Sequence, residues 1–138
     1  MNIKLSVYSC RTKGKSGFAI YEKGSVVDSK VGSTSSSNIK EDVLISLVKG
    51  LRACRNRVQH EDILYIEIQN QHLCSWLSGC VEYKGYSQYL DEVFSVLESL
   101  DCRYKFMFVE KPTAKKLIEE GRVEVKGMSV DSAFSDLM

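Results

Sequence analysis

At 138 residues, with 43% hydrophobic and 27% charged side chains, the chain has the composition of one globular domain with a workable core. Nineteen basic residues against eighteen acidic leave a formal charge of +1. That balance excludes a global field drawing the chain to nucleic acid or membrane, so any such contact must come from local patches. No apolar run approaches the roughly 20 residues that span a bilayer, and Met1-Asn2-Ile3-Lys4 carries no signal-peptide core.

Ile3 to Cys10 sets Ile3, Leu5 and Val7 against Lys4, Ser6 and Tyr8, which predicts a half-buried strand. Arg11 to Gly17 is a basic, glycine-containing loop that carries Arg11, Lys13 and Lys15. Phe18 to Glu22 and Ser25 to Val31 read as two more strands joined by a tight Lys23-Gly24 turn, completing an antiparallel meander. Gly32 to Ser37 is a small, polar loop. Asn38 then caps a helix, with Glu41 three residues on as in a capping box and Leu44, Leu47, Val48 and Leu51 as the apolar stripe. Arg52, Arg55 and Arg57 gather at its C-terminal end, where the helix dipole favours cations.

Ile63 to Ile68 is nearly continuous in apolar character, as in a strand covered on both faces. Gln69-Asn70-Gln71-His72 follows at once, and Leu73, Trp76 and Leu77 continue at helical spacing. The C-terminal edge of a central strand is the usual place for chemistry in an open α/β sheet. Here it carries three amides and an imidazole, and none of the four is a carboxylate. After the break at Ser78-Gly79 comes a loop over Val81 to Gly85. Tyr86 to Leu100 reads as a long helix with Leu90, Val93, Phe94, Leu97 and Leu100 on one face. Arg103 to Val109 alternates Tyr104, Phe106 and Phe108 with Arg103, Lys105 and Met107, a fifth strand. Pro112 suits the first turn of a last helix running to about Glu120, which Gly121 ends. Residues 1–121 are expected to form the domain and 122–138 a tail with weak alternation at Val123 and Val125. The order implies an α/β fold with a mixed five-stranded sheet and helices on both faces. Right-handed crossovers place the first and fourth strands side by side and parallel.

Five cysteines, at 10, 54, 74, 80 and 102, show no C-x-x-C spacing. They predict a reduced, cytoplasmic protein with thiols as small core residues. His72, Cys74 and Cys80 match no zinc pattern and lack a fourth ligand. Gly14-Lys15-Ser16 has the ending of a phosphate-binding P-loop, but that loop needs a glycine at Ser9 and a helix afterwards, where a strand is read. Trp76, the one tryptophan, lies on the apolar side of its short helix and is expected in the core.

The element order and loop lengths resemble the ribonuclease H fold over residues 1 to about 120. Ser35-Ser36-Ser37-Asn38-Ile39-Lys40-Glu41 looks like that family's T-x-N-N-x-x-E segment before its first helix. Tyr65 to Leu73 is similar to its strand ending in D-S-Q-Y-V, and Tyr89 to Val93 with Arg103 to Phe106 to its long helix and following aromatic strand. The resemblance implies two divalent metals held by four carboxylates that cleave phosphodiesters. The first carboxylate belongs where Ser9-Cys10 stands, the second at Glu41, the third at Gln69 and the fourth near Lys115. Glu41 is the one match, and neutral amides and a lysine cannot hold two Mg²⁺ ions, which need hard anionic oxygen ligands.

The resemblance therefore implies a catalytically silent ribonuclease H-like binding module without cofactor. Such a stand-alone domain suggests an accessory or regulatory protein of phage or mobile-element type. Its partner is expected to be a protein or a structured nucleic acid, an RNA–DNA hybrid or duplex. Arg11, Lys13, Lys15, Asn38, Asn70, Gln71, His72 and Lys115 are the nucleic-acid candidates. A solvated hairpin loop is the plainer role for the first three, and helix capping for Asn38, Gln71 and His72. Tyr83, Tyr86 and Tyr89 are the candidates for a partner interface. The alternative is a Mg²⁺- or Mn²⁺-dependent nuclease with relocated carboxylates drawn from Glu41, Asp42, Glu67 and Asp91 or Glu110.

Overall fold

The computed structural model describes residues 1–34, 38–79 and 85–122. Tyr83, the loop segments at 35–37 and 80–84, and the expected tail from 123 onward lie outside the described residues. The strands are β1 (Asn2–Cys10), β2 (Lys15–Glu22), β3 (Ser25–Ser33), β4 (Ile63–Ile68) and β5 (Arg103–Phe108). The helices are α1 (Ile39–Cys54), α2 (Gln71–Leu77), α3 (Ser87–Leu100) and α4 (Lys115–Glu120). The sheet runs β3-β2-β1-β4-β5. Both pairings of the meander are antiparallel, and β1–β4 and β4–β5 are parallel. The first and fourth strands are thus parallel neighbours, as right-handed crossovers demand. No described helix is long and apolar enough to cross a membrane.

The alternation of side chains gives the sheet two working faces. On one, Leu5, Val7, Ile66 and Phe106 pack with Leu47 of α1 and Leu90 of α3 in the main core. On the other, Tyr8, Ala19 and Val31 meet Ala114 and Ile118 at α4 in a smaller cluster. α1 lies so close to the sheet that a Cβ at Gly50 would sit 2.7 Å from Leu5 Cδ1 and 3.2 Å from Phe18 Cγ.

Four expectations need correction. β1 is buried on both faces rather than half-buried: Ser6 and Tyr8 on the second face are enclosed, as Leu5 and Val7 are on the first. The reason is chemical, since the Ser6 hydroxyl accepts the Ala114 N–H at 2.9 Å and is thereby satisfied beneath α4. β2 begins at Lys15, so the basic loop shrinks to Arg11–Gly14. Gly14 turns the chain at φ +64°, with its N–H on the Arg11 carbonyl at 3.1 Å. The last helix starts at Lys115 instead of Pro112, because Pro112 opens a turn whose carbonyl accepts the Lys115 N–H at 2.9 Å. Trp76 is only partly buried. It packs on the margin of the main core, its ring centroid 6.3 Å from that of Tyr86 and 5.0 Å from the Lys40 ammonium.

Candidate functional site at the ends of the central strands

β1 and β4 run in parallel, so their C-terminal ends open at the same edge of the sheet. Gln69 leaves β4 there and turns its amide onto the backbone of Ser9. Its Oε1 accepts the Ser9 N–H at 2.5 Å, and its Nε2 donates to the Ser9 carbonyl at 3.0 Å. Each strand end has backbone groups beyond the reach of the ladder, and this amide satisfies one donor and one acceptor of them. A carboxylate could accept the N–H but could not donate to the carbonyl. The Ser9 hydroxyl is buried and has no hydrogen-bond partner among the described residues.

Asn70, next in line, is the N-cap of α2, its side chain accepting the Leu73 N–H at 3.0 Å. Gln71 and His72 form the exposed first turn of that helix. Asn38 caps α1, taking the Lys40 N–H at 2.9 Å, and its amide donates to the Tyr86 hydroxyl. Tyr89 donates to Glu41 Oε1 at 2.6 Å, and burial together with that carboxylate pushes its phenol well above the usual tyrosine range. Tyr86 and Tyr89 thus direct their hydroxyls at the N-terminus of α1 and tie α3 to it.

Two carboxylates hold this edge together: Asp42, which the sequence offered only as a relocated metal ligand, and Glu119, which sequence reasoning passed over. Asp42, 2% exposed, lies in the first turn of α1 and pairs with Arg11 at 3.3 Å. Glu119, on α4, accepts the Tyr8 hydroxyl at 2.8 Å and meets Lys13 at 3.5 Å and Lys115 at 3.4 Å. The Tyr8 hydroxyl, then the two lysines, hold the Glu119 carboxyl below its ordinary value against the opposing effect of desolvation. Burial and Glu119 push Tyr8 upward in turn. Lys15 donates to the carbonyls of Glu119 and Gly121, each at 2.9 Å, and so closes the C-terminal end of α4. Cys10 lies 3.2 Å from Thr12 Oγ1, and that hydroxyl is the main reason its thiol sits below the usual cysteine value. The i,i+4 spacing of Lys115 and Glu119 is visible in the sequence. That Tyr8 and Lys13 converge on the same carboxylate is not.

The four cations picked from sequence, Arg11, Lys13, Lys15 and Lys115, are all engaged within the fold. The proposed relocated carboxylates point to different places. Glu41 takes Tyr89 on the α3 side, whereas Glu67 accepts the Thr113 N–H at 2.8 Å and its hydroxyl at 3.1 Å beside Lys4 on the α4 side. Asp91 and Glu110 are exposed. Among the described residues, no group of three or more His, Cys, Asp or Glu side chains is placed to hold a metal ion. The donor set at the strand ends does not fit two divalent ions: the neutral amide at Gln69 is already bonded at both ends, and Asp42 and Glu119 carry cations.

No protein-family model matches the sequence, and neither does any curated protein. Solved structures do match by shape. The RNase H1 of the halophilic archaeon Halobacterium salinarum NRC-1 is 13% identical, covering 98% of this chain and 97% of its own, with a TM-score of 0.63. An N-terminal RNase H domain from Mycobacterium tuberculosis is 13% identical over 86% of this chain and 92% of that one, TM-score 0.64. LC11-RNase H1, solved in complex with an RNA/DNA hybrid, is 12% identical over 96% and 98%, TM-score 0.66. The chain has the ribonuclease H-like fold, without a metal-binding carboxylate cluster among its described residues.

Proposed function

We propose that this chain is a catalytically inactive ribonuclease H-like module that works by binding, as an accessory or regulatory protein, and that its partner is a protein. The observation that carries this reading is the Gln69 amide bonded to both backbone groups of Ser9. It puts a neutral, fully engaged group where metal-dependent hydrolysis calls for hard anionic oxygen. Capture of Arg11, Lys13, Lys15 and Lys115 by internal carboxylates and carbonyls supports a protein over a nucleic acid, because phosphate recognition draws on cations that remain available to the ligand.

Titration of Mg²⁺ and Mn²⁺ against an RNA–DNA hybrid and a structured DNA tests the reading. No cleavage is expected at any metal concentration. Metal-dependent cleavage lost in Glu41→Gln or Asp42→Asn would establish a rearranged nuclease instead.

A further inference from the structure

β5 is the outer strand of the sheet, on the side away from the meander. Val109 donates its N–H to the Ile68 carbonyl at 3.0 Å. Strand alternation then turns the backbone groups of Lys105 and Met107 toward β4, and those of Tyr104, Phe106 and Phe108 outward. Among the described residues, β5 makes no backbone hydrogen bond on that outer side. Tyr104 and Phe108 are each 42% exposed although both are large aromatics on the face that carries the main core. Beside them, a groove of about 350 Å³ runs between β5 and the end of α2, lined by Leu77, Ser78, Tyr104, Lys105 and Phe106. On the opposite face of the same strand, Arg103 and Lys105 are exposed and form no ion pair among the described residues. The cations at the strand ends are by contrast all taken up internally.

We infer that β5 is a docking edge for an extended peptide that adds a sixth strand, with apolar side chains toward Tyr104 and Phe108 and acidic side chains beside Arg103 and Lys105. This deepens the binding-module reading and rests on it. An open edge gives backbone affinity to any strand, and the side chains at alternate positions choose among strands. A second copy of this chain fits poorly. Antiparallel pairing of β5 with itself across a two-fold axis would set residues of one face opposite each other, cation against cation. Edge lysines and arginines discourage such self-pairing and leave the edge open to an acidic segment. The other edge is less suited: β3 is largely polar, and the β2–β3 pairing is offset by a register shift at Ile20/Tyr21.

The test uses the full chain and blocked seven-residue peptides alternating valine with glutamate or valine with lysine. Binding is followed by amide chemical shifts and hydrogen exchange. The glutamate peptide is expected to bind at least tenfold more tightly, to move the β5 resonances and to slow exchange at Tyr104, Phe106 and Phe108. Methylating one alternate set of peptide nitrogens should abolish binding while methylating the other leaves it intact, a signature of strand addition. The double variant Arg103→Glu with Lys105→Glu should reverse the preference. Equal binding of the two peptides, shifts centred away from β5, or a dimer formed through β5 would overturn the inference while the module reading stands. Metal-dependent cleavage of the hybrid would overturn both.

Discussion

Gln69 shows how one uncharged side chain can complete a sheet edge. Its two bonds to Ser9 lie between β4 and β1, 60 residues apart in sequence, on a residue that is 1% exposed. Gln69→Ala should therefore cost about 1–3 kcal/mol, because a buried N–H and a carbonyl lose their partner together. Urea denaturation measures this, and an unchanged midpoint would remove the clamp from the account. Gln69→Glu should also destabilise, since the carboxylate faces the Ser9 carbonyl without a proton to give. The thiols offer a second test at the same scale. Thr12 lowers the Cys10 thiol, whereas burial pushes Cys54 up to about 12. In a pH series of iodoacetamide labelling read by mass spectrometry, Cys10 should alkylate first and at lower pH than a free thiol, with Cys54 protected in the folded chain. Thr12→Val should move the Cys10 profile upward. Labelling of Cys54 before Cys10 would contradict the arrangement.

Among the elements, α1 and α4 are held to the sheet by different means. α1 depends on close approach. Gly50→Ala would drive a methyl into Leu5 and Phe18, both side chains of the main core, so a loss of about 1–3 kcal/mol from overpacking is expected in thermal or urea melts. α4 has six residues and depends on polar ties: Tyr8 and the lysines on Glu119, Lys15 on its last carbonyls, and Ser6 on Ala114. Because the folded-state value of Glu119 is depressed, its stabilising contribution is fully present above the ordinary glutamate value of about 4.3 and is lost as pH falls through the lower, folded value. Amide exchange at Ala114 and Ile118 should accelerate over that acid window while α1 remains protected. Tyr8→Phe should shift the window upward. Equal acid sensitivity of α1 and α4 would mean that Glu119 is not the tie. Pro112 marks where a helix can begin, but Thr113 and Ala114 donate their N–H groups to Glu67 and Ser6 of the sheet, and the helix starts only at Lys115.

For the whole molecule, sheet order and strand direction follow from features a sequence displays: the meander's turns, the unbroken apolar run of β4, and helices long enough to cross over. The state of each polar group at the strand ends does not. Arg11, Lys13 and Lys15 read as three free cations in five residues, and only the fold brings Asp42, Glu119 and the last carbonyls of α4 to meet them. Asn38 and Asn70 likewise read as candidates for nucleic-acid contact, and Gln69 as an amide standing where a metal carboxylate belongs. In the fold the first two cap helices and the third bonds a neighbouring strand, because backbone donors at element ends must find acceptors. A chain with a formal charge of +1 and its most conspicuous cations internally paired has few charges left to displace counterions from a duplex. Its binding to an RNA–DNA hybrid or duplex DNA should therefore be weak, with a shallow dependence on salt. Fluorescence anisotropy between 50 and 200 mM salt is expected to give a log–log slope no steeper than about −2, corresponding to about two phosphates neutralised. Lys13→Ala and Lys15→Ala should loosen α4 without altering that slope. A slope several times steeper that falls in those variants would show that these lysines leave their internal partners for phosphate, and would return the chain to the nucleic-acid binders.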